Sequence, residues 1–79
     1  MIVTYIKWFD ASNQVGVTLD REEFYPRIIL HSAGILAAED SDTVSLALDH
    51  DAEHDNFRHV EHIPKVNILK RRDIKVSEK

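Results

Sequence analysis

The chain has 79 residues, contains no cysteine, and carries 14 acidic against 10 basic side chains, for a formal net charge of −4. This length allows one small domain, and the lack of cysteine excludes a disulfide framework or a cysteine-based metal site. No apolar run approaches the ~20 residues that cross a bilayer, so we expect a cytoplasmic protein without a membrane partner.

The beginning of the chain predicts one strand followed by a long connection. Residues 2–9, IVTYIKWF, are rich in β-branched and aromatic side chains, which favour strands. Residues 10–26 begin with turn-forming side chains and include a capping-box pattern at 20–23. Because Pro26 follows closely, the pattern predicts a single short helical turn inside this connection.

The middle of the chain predicts a β-hairpin. Residues 27–38 read as a second strand, in which Gly34 indicates a bulge or a sharp bend. After a polar turn, residues 43–49 alternate between apolar and other side chains, as expected of a third strand. The face predicted to be apolar consists of Val44, Leu46 and Leu48.

The last part of the chain predicts a loop and two more strands. Residues 49–56 are polar and highly charged, which indicates a mobile loop, and residues 57–63 read as the fourth strand. Pro64 ends that strand and begins a tight 3₁₀-like turn, after which residues 66–70 form the fifth strand. Residues 71–79 are a basic tail or an extension of this strand.

Five short strands with little helix predict an all-β (minor α) domain over residues 1–70, a small and strongly bent barrel. The segments GILAAEDSDTVSLALD and FRHVEHIPKVNIL resemble the Sm-like family, in which a glycine-bent strand precedes an acidic turn. An opening strand followed by a long loop is more similar to an SH3-like arrangement. The resemblance therefore implies a five-stranded SH3-like or Sm-like barrel.

A second resemblance extends over most of the chain. The segments IKWFD at 6–10, SAGIL at 32–36 with ED at 39–40, and IPK at 63–65 resemble a group of short phage-encoded proteins. This resemblance implies a phage or prophage origin, and it supplies no catalytic residues.

The charge is segregated along the chain. Residues 39–55 hold seven acidic side chains without a lysine or arginine, whereas residues 65–79 hold six basic side chains against two acidic ones. Solubility alone explains such a pattern. Head-to-tail association, in which the acidic edge of one copy meets the basic end of the next, explains it equally well.

The histidine-rich stretch raises the question of a metal site. Imidazole and carboxylate groups together bind transition metals, and the weak candidate ligands are His50, Asp51, His54 and Asp55. No HExxH pattern occurs, so a solvated acidic loop beside surface histidines is the favoured interpretation. Protonation of the histidines could also change the charge of this stretch at a pH of about 6. We expect no metal and no other cofactor.

Catalytic motifs are absent from the sequence. No serine lies in a GxSxG pattern, and two glycines cannot build a phosphate-binding loop or a dinucleotide fingerprint. We therefore expect a protein that is not an enzyme.

The leading hypothesis is a homo-oligomeric small β-barrel that binds a nucleotide-like small ligand or a short RNA at subunit boundaries, as a phage protein sequestering a host signal would. Adjacent apolar side chains such as Trp8 and Phe9 point to opposite faces of a strand, so the second face must be covered, either by another subunit or, equally well, by the long loop 10–26. The candidate contacts are Trp8 and Tyr25 for stacking and Arg58, Lys65, Arg71 and Arg72 for phosphate.

Two other functions remain open. One is a protein-interaction module that inhibits or caps a host protein through its acidic residues 39–55. The other is a metal-dependent hydrolase that uses the His50, Asp51, His54 and Asp55 loop.

Overall fold

The computed structural model describes residues 1–10 and 28–78, which form five strands and one 3₁₀ turn. The elements are β1 (Ile2–Asp10), β2 (Ile28–Glu39), β3 (Thr43–Asp51), β4 (Asn56–Pro64), the 3₁₀ turn (Lys65–Asn67) and β5 (Ile68–Lys75). This architecture confirms the prediction of a mostly-β domain with little helix. The helical turn predicted within the connection 10–26 lies outside the described residues.

The five strands form a single antiparallel sheet in the order β4-β3-β2-β1-β5. The first four strands pair with their neighbours in sequence, and β5 returns to pair with β1. Strands β4 and β5 therefore form the two edges of the sheet.

The core lies on one face of the sheet, which we call the inner face. Ile6 of β1 has no solvent exposure, and the same holds for Val44 of β3 and Ile63 of β4. Trp8 and Leu46 complete the cluster, with Leu30, Leu36 and Ile68 packed against it. Since β2 separates β1 from β3, the sheet must curl for these side chains to meet. Burial of each large apolar side chain contributes about 1.5–3 kcal/mol.

Gly34 allows two strands to approach each other closely. A Cβ atom at this position would lie 2.8 Å from the carbonyl oxygen of Ala47 and 3.2 Å from the Cβ of Leu46. The shift in β2–β3 register lies between Leu36 and Ala38, not at Gly34. The glycine predicted to mark a bulge therefore serves a close backbone contact, and the register irregularity follows two residues later.

The hairpin of β3 and β4 is longer than the sequence predicts. The polar segment 49–56, predicted to be a mobile loop, is half strand, at residues 49–51 and 56, and half a four-residue turn at 52–55. The predicted alternation along β3 also ends early. Ala47 is buried on the opposite face, whereas Leu48 is 69% exposed because the inner core ends at Leu46.

One residue within β4 has an unusual backbone conformation. His59 has φ = 56°, in the left-handed region that non-glycine residues rarely adopt. Ladder pairs form on both sides of it, between Ala47 and Val60 and between Asp49 and Arg58. The left-handed residue thus interrupts the ladder at His59 alone and leaves the register of the hairpin unchanged.

An ion cluster connects the end of β2 with β5. Both terminal nitrogens of Arg71 donate to the carboxylate of Glu39 at 2.8 Å, and the Lys65 ammonium lies 2.8 Å from the same carboxylate. Arg71 also contacts Asp73, which accepts a 2.9 Å hydrogen bond from the Thr4 hydroxyl. The beginning of the predicted basic tail is thereby an ordered part of β5, which extends to Lys75.

Removal of the carboxylate at Glu39 should make stability less dependent on pH. Hydrogen bonds from Arg71 and then Lys65 lower the pKa of Glu39 from 4.5 to about 2. The carboxylate therefore stabilises the fold fully above pH 4.5, and this contribution is lost as the pH falls towards 2. We expect Glu39→Gln to reduce the free energy of unfolding by about 1 kcal/mol at neutral pH, since the cluster is partly exposed.

Urea denaturation over a pH series measures this effect. The difference between wild type and Glu39→Gln should shrink below pH 4.5 and vanish near pH 2. Glu53→Gln, which removes an exposed carboxylate in the hairpin turn, is the matched control and should unfold like wild type throughout. A difference that stays constant with pH would contradict this role for the carboxylate.

Candidate functional site

The outer face of strands β5, β1 and β2 brings together side chains that are far apart in sequence. Tyr5 lies directly opposite Arg72, and Lys7 lies directly opposite both Lys70 and His31. Residues opposite each other in an antiparallel pair share a face of the sheet, with Cβ atoms about 4.5–5.5 Å apart. These five residues define the basic face.

An aromatic pair lies at the centre of the basic face. The rings of Tyr5 and His31 stack with centroids 5.9 Å apart and an interplanar angle of 20°. The Tyr5 hydroxyl and Nδ1 of His31 share a 2.9 Å hydrogen bond. Since both side chains belong to paired strands, the stack is a fixed platform on which a planar ring could lie.

The basic face carries positive charge that the described residues do not compensate locally. Along the described parts of β1, β2 and β5, this face contains no aspartate or glutamate, because the register places Asp10, Glu39 and Asp73 on the inner face. Among the described residues, Lys7, Lys70 and Arg72 form no ion pair. A protein with a net charge of −4 therefore presents a locally cationic surface.

The predicted stacking residues do not lie on an open surface that the structure describes. Trp8 belongs to the core with 7% exposure, and its indole N–H donates to the Ser32 hydroxyl at 3.0 Å. An indole so enclosed presents little ring area to a ligand. Tyr25 lies outside the described residues.

The four predicted phosphate contacts are dispersed. Arg72 lies on the basic face, whereas Arg58 lies opposite Asp49 in the β3–β4 hairpin. Lys65 and Arg71 both contact Glu39, so a phosphate would have to compete with that carboxylate.

The four candidate metal ligands form two separate pairs. Nε2 of His50 lies 2.9 Å from Asp55, and Nδ1 of His54 lies 2.9 Å from Asp51. Within residues 1–10 and 28–78, no group of three or more potential ligands is arranged to hold a metal ion. The imidazoles therefore have carboxylate partners of their own in this arrangement.

A polar cleft of about 440 Å³ contains a serine–histidine pair. The Ser45 hydroxyl lies 2.7 Å from Nδ1 of His62, which is a distance suited to proton transfer. Of the nearby carboxylates, Glu39 contacts Arg71, and Asp40 accepts hydrogen bonds from the backbone N–H groups of Asp42 and Thr43. These contacts engage the described carboxylates that could orient His62, so the residues that the structure describes in this cleft do not complete a catalytic triad.

A groove of about 220 Å³ lies near the hairpin turn. Its apolar wall includes Leu36 and Phe57, and its polar side includes the paired His50 and Asp55. The rings of His50 and Phe57, which both line this groove, are tilted against each other with centroids 4.8 Å apart.

Comparison with known proteins identifies no relative. No family model, curated protein or solved structure matches the chain significantly. In the part of the chain that the structure describes, no helix is long and apolar enough to span a membrane. The site must therefore be interpreted from its own chemistry.

Four residues of the basic face were missed by sequence reasoning: Tyr5, Lys7, His31 and Lys70. A partial signal exists, since Tyr5 and Lys7 alternate with the buried Thr4 and Ile6 along β1. The pairing of β1 with both β2 and β5 adds the other members, and the local sequence does not reveal that pairing.

Proposed function

We propose that the protein is a non-enzymatic binding protein that holds single-stranded nucleic acid, in particular short RNA, on the basic face. The observation that carries the proposal is the strand register. It gathers three cations around the Tyr5–His31 stack, on a face where the described parts of β1, β2 and β5 place no carboxylate.

Each part of the basic face matches one part of a nucleotide chain. The guanidinium of Arg72 and the ammonium groups of Lys7 and Lys70 can neutralise successive phosphates, which supplies affinity for any sequence. An unpaired base can stack on the Tyr5–His31 platform, an interaction worth about 1–3 kcal/mol per base.

The same chemistry favours single strands over duplexes. Bases within a duplex are stacked on each other, so their faces cannot reach an aromatic side chain without unstacking. A nucleotide-like small ligand offers only one base for the Tyr5–His31 stack and one or two phosphates for the cations. It would therefore make fewer contacts and bind with lower affinity than RNA.

We further propose that the curled sheet is a small barrel of the SH3-like or Sm-like kind. The strand order β4-β3-β2-β1-β5 and the core between β1 and the β3–β4 pair support this proposal. The bidentate contact of Arg71 with Glu39 supports it too, because it draws the end of β2 towards β5.

Fluorescence anisotropy with labelled oligouridine RNA tests the proposed function. At low salt we expect saturable binding of the single strand, and weaker binding of a duplex RNA of equal length. Unlabelled oligouridine should displace the label, whereas uridine monophosphate should do so only at much higher concentration. Absence of binding, or preference for the duplex, would contradict the proposal.

A further inference from the structure

The outer part of the β3–β4 hairpin, residues 48–61, forms a surface of its own, which we call the arm. All of its residues are exposed except His50 and Asp51, which are partly buried. The buried core reaches Leu46 on β3 and begins again at Ile63 on β4. The arm therefore extends past the part of the hairpin that the core supports.

The arm combines exposed apolar side chains with negative charge. Leu48 is 69% exposed, Phe57 is 40% exposed and Val60 is 39% exposed. Five carboxylates accompany one arginine, Arg58, and no lysine. The carboxylates belong to Asp49, Asp51, Glu53, Asp55 and Glu61.

The basic face and its border have the complementary composition. Lys7, Lys70 and Arg72 supply positive charge, and two exposed apolar side chains lie on the same outer face, Ile29 at 42% and Ile74 at 50% exposure. Opposite charges and apolar side chains on both partners favour a heterologous contact between copies.

We infer that the arm of one copy docks on the basic face of a second copy, so that self-association and nucleic-acid binding compete for the same surface. The competition rests on the proposed function, because it requires that nucleic acid use the basic face. Carboxylates of the arm would then occupy the positions that phosphates take, and bound RNA would release the arm.

Sedimentation velocity of the full chain tests this inference, with oligouridine RNA as the added ligand. We expect association that increases with protein concentration and falls with added salt. Leu48→Ser/Phe57→Ser should weaken it by about tenfold or more, since two exposed apolar contacts on the same face of the arm are lost. Val66→Ser, at an 87% exposed residue outside the arm, is the control and should associate like wild type.

The RNA distinguishes the possible results. Conversion of the assembly to monomers carrying RNA would support the competition. A chain that stays monomeric but binds RNA would overturn the inference and leave the proposed function intact. Assembly that persists with saturating RNA bound would contradict the inference that the arm and RNA compete for one surface. Assembly that weakens in the arm variant, in a protein that binds no RNA, would support the docking and overturn the proposed function.

Discussion

The double variant Lys70→Glu/Arg72→Glu should lose most of its affinity for oligouridine RNA. Both side chains are exposed on β5 and lie opposite Lys7 and Tyr5 respectively, so the substitution replaces two of the three cations of the basic face. We expect binding to fall by at least about tenfold at low salt, because each lost phosphate contact removes a favourable counterion release. Anisotropy titration measures the change.

A matched double variant separates local contacts from net charge. Arg58→Glu/Lys75→Glu changes the charge by the same amount, but Arg58 lies in the arm and Lys75 lies opposite Ile2 on the inner face of β5. This control should retain affinity within a few-fold. Equal losses in the two variants would show that the overall field of the protein, and not the basic face, attracts the RNA.

Gly34→Ala should produce the largest loss of stability of any single-methyl change in β2. The new Cβ would lie 2.8 Å from the carbonyl oxygen of Ala47, which is main chain in a paired strand and cannot rotate away. We expect the free energy of unfolding to fall by about 1–3 kcal/mol, the range typical of overpacked interiors. Urea denaturation at neutral pH measures it.

Ala33→Val provides the comparison for this substitution. It enlarges the neighbouring residue of the same strand, but Ala33 is exposed on the outer face. Its effect should stay within about 0.5 kcal/mol. If Gly34→Ala lowered the free energy of unfolding by as little as Ala33→Val, β2 and β3 could move apart at little cost. The close contact at Gly34 would then not be needed for the pairing of these strands.

The strands could be predicted because their signals are local. Residues 2–9 and 57–63 carry β-branched and aromatic side chains, which favour strands. Pro64 lacks the backbone N–H that would continue the ladder, and the fourth strand ends at this residue as predicted. The hairpin turn before Thr43 is also local, since Asp40 caps the backbone N–H groups of Asp42 and Thr43.

The length of the hairpin could not be predicted in this way. The segment DHDAEHDN has low strand propensity, and its order comes from cross-strand contacts such as the His50 and Phe57 rings. Such contacts depend on which residues face each other after pairing. Tertiary pairing thus overrides the local composition of residues 49–56.

The basic face could not be predicted from local sequence patterns either, because it depends on the pairing register of strands that are distant in sequence. Lys7 and Lys70 meet only when β5 pairs with β1, and a slip of one residue would turn Lys70 to the inner face. For the same reason, the sequence alone predicts the same phosphate-binding role for Arg71 as for Arg72. The structure places Arg71 on the inner face against Glu39, 32 residues away.

The salt dependence of oligouridine binding by the wild-type chain tests the central claim most directly. Three phosphate contacts by Lys7, Lys70 and Arg72 should give a slope of about −2 in a plot of log affinity against log salt concentration. The slope should become clearly shallower in Lys70→Glu/Arg72→Glu and stay near −2 in Arg58→Glu/Lys75→Glu. A wild-type affinity that does not change with salt would contradict the assignment of the basic face as a site for nucleic acid.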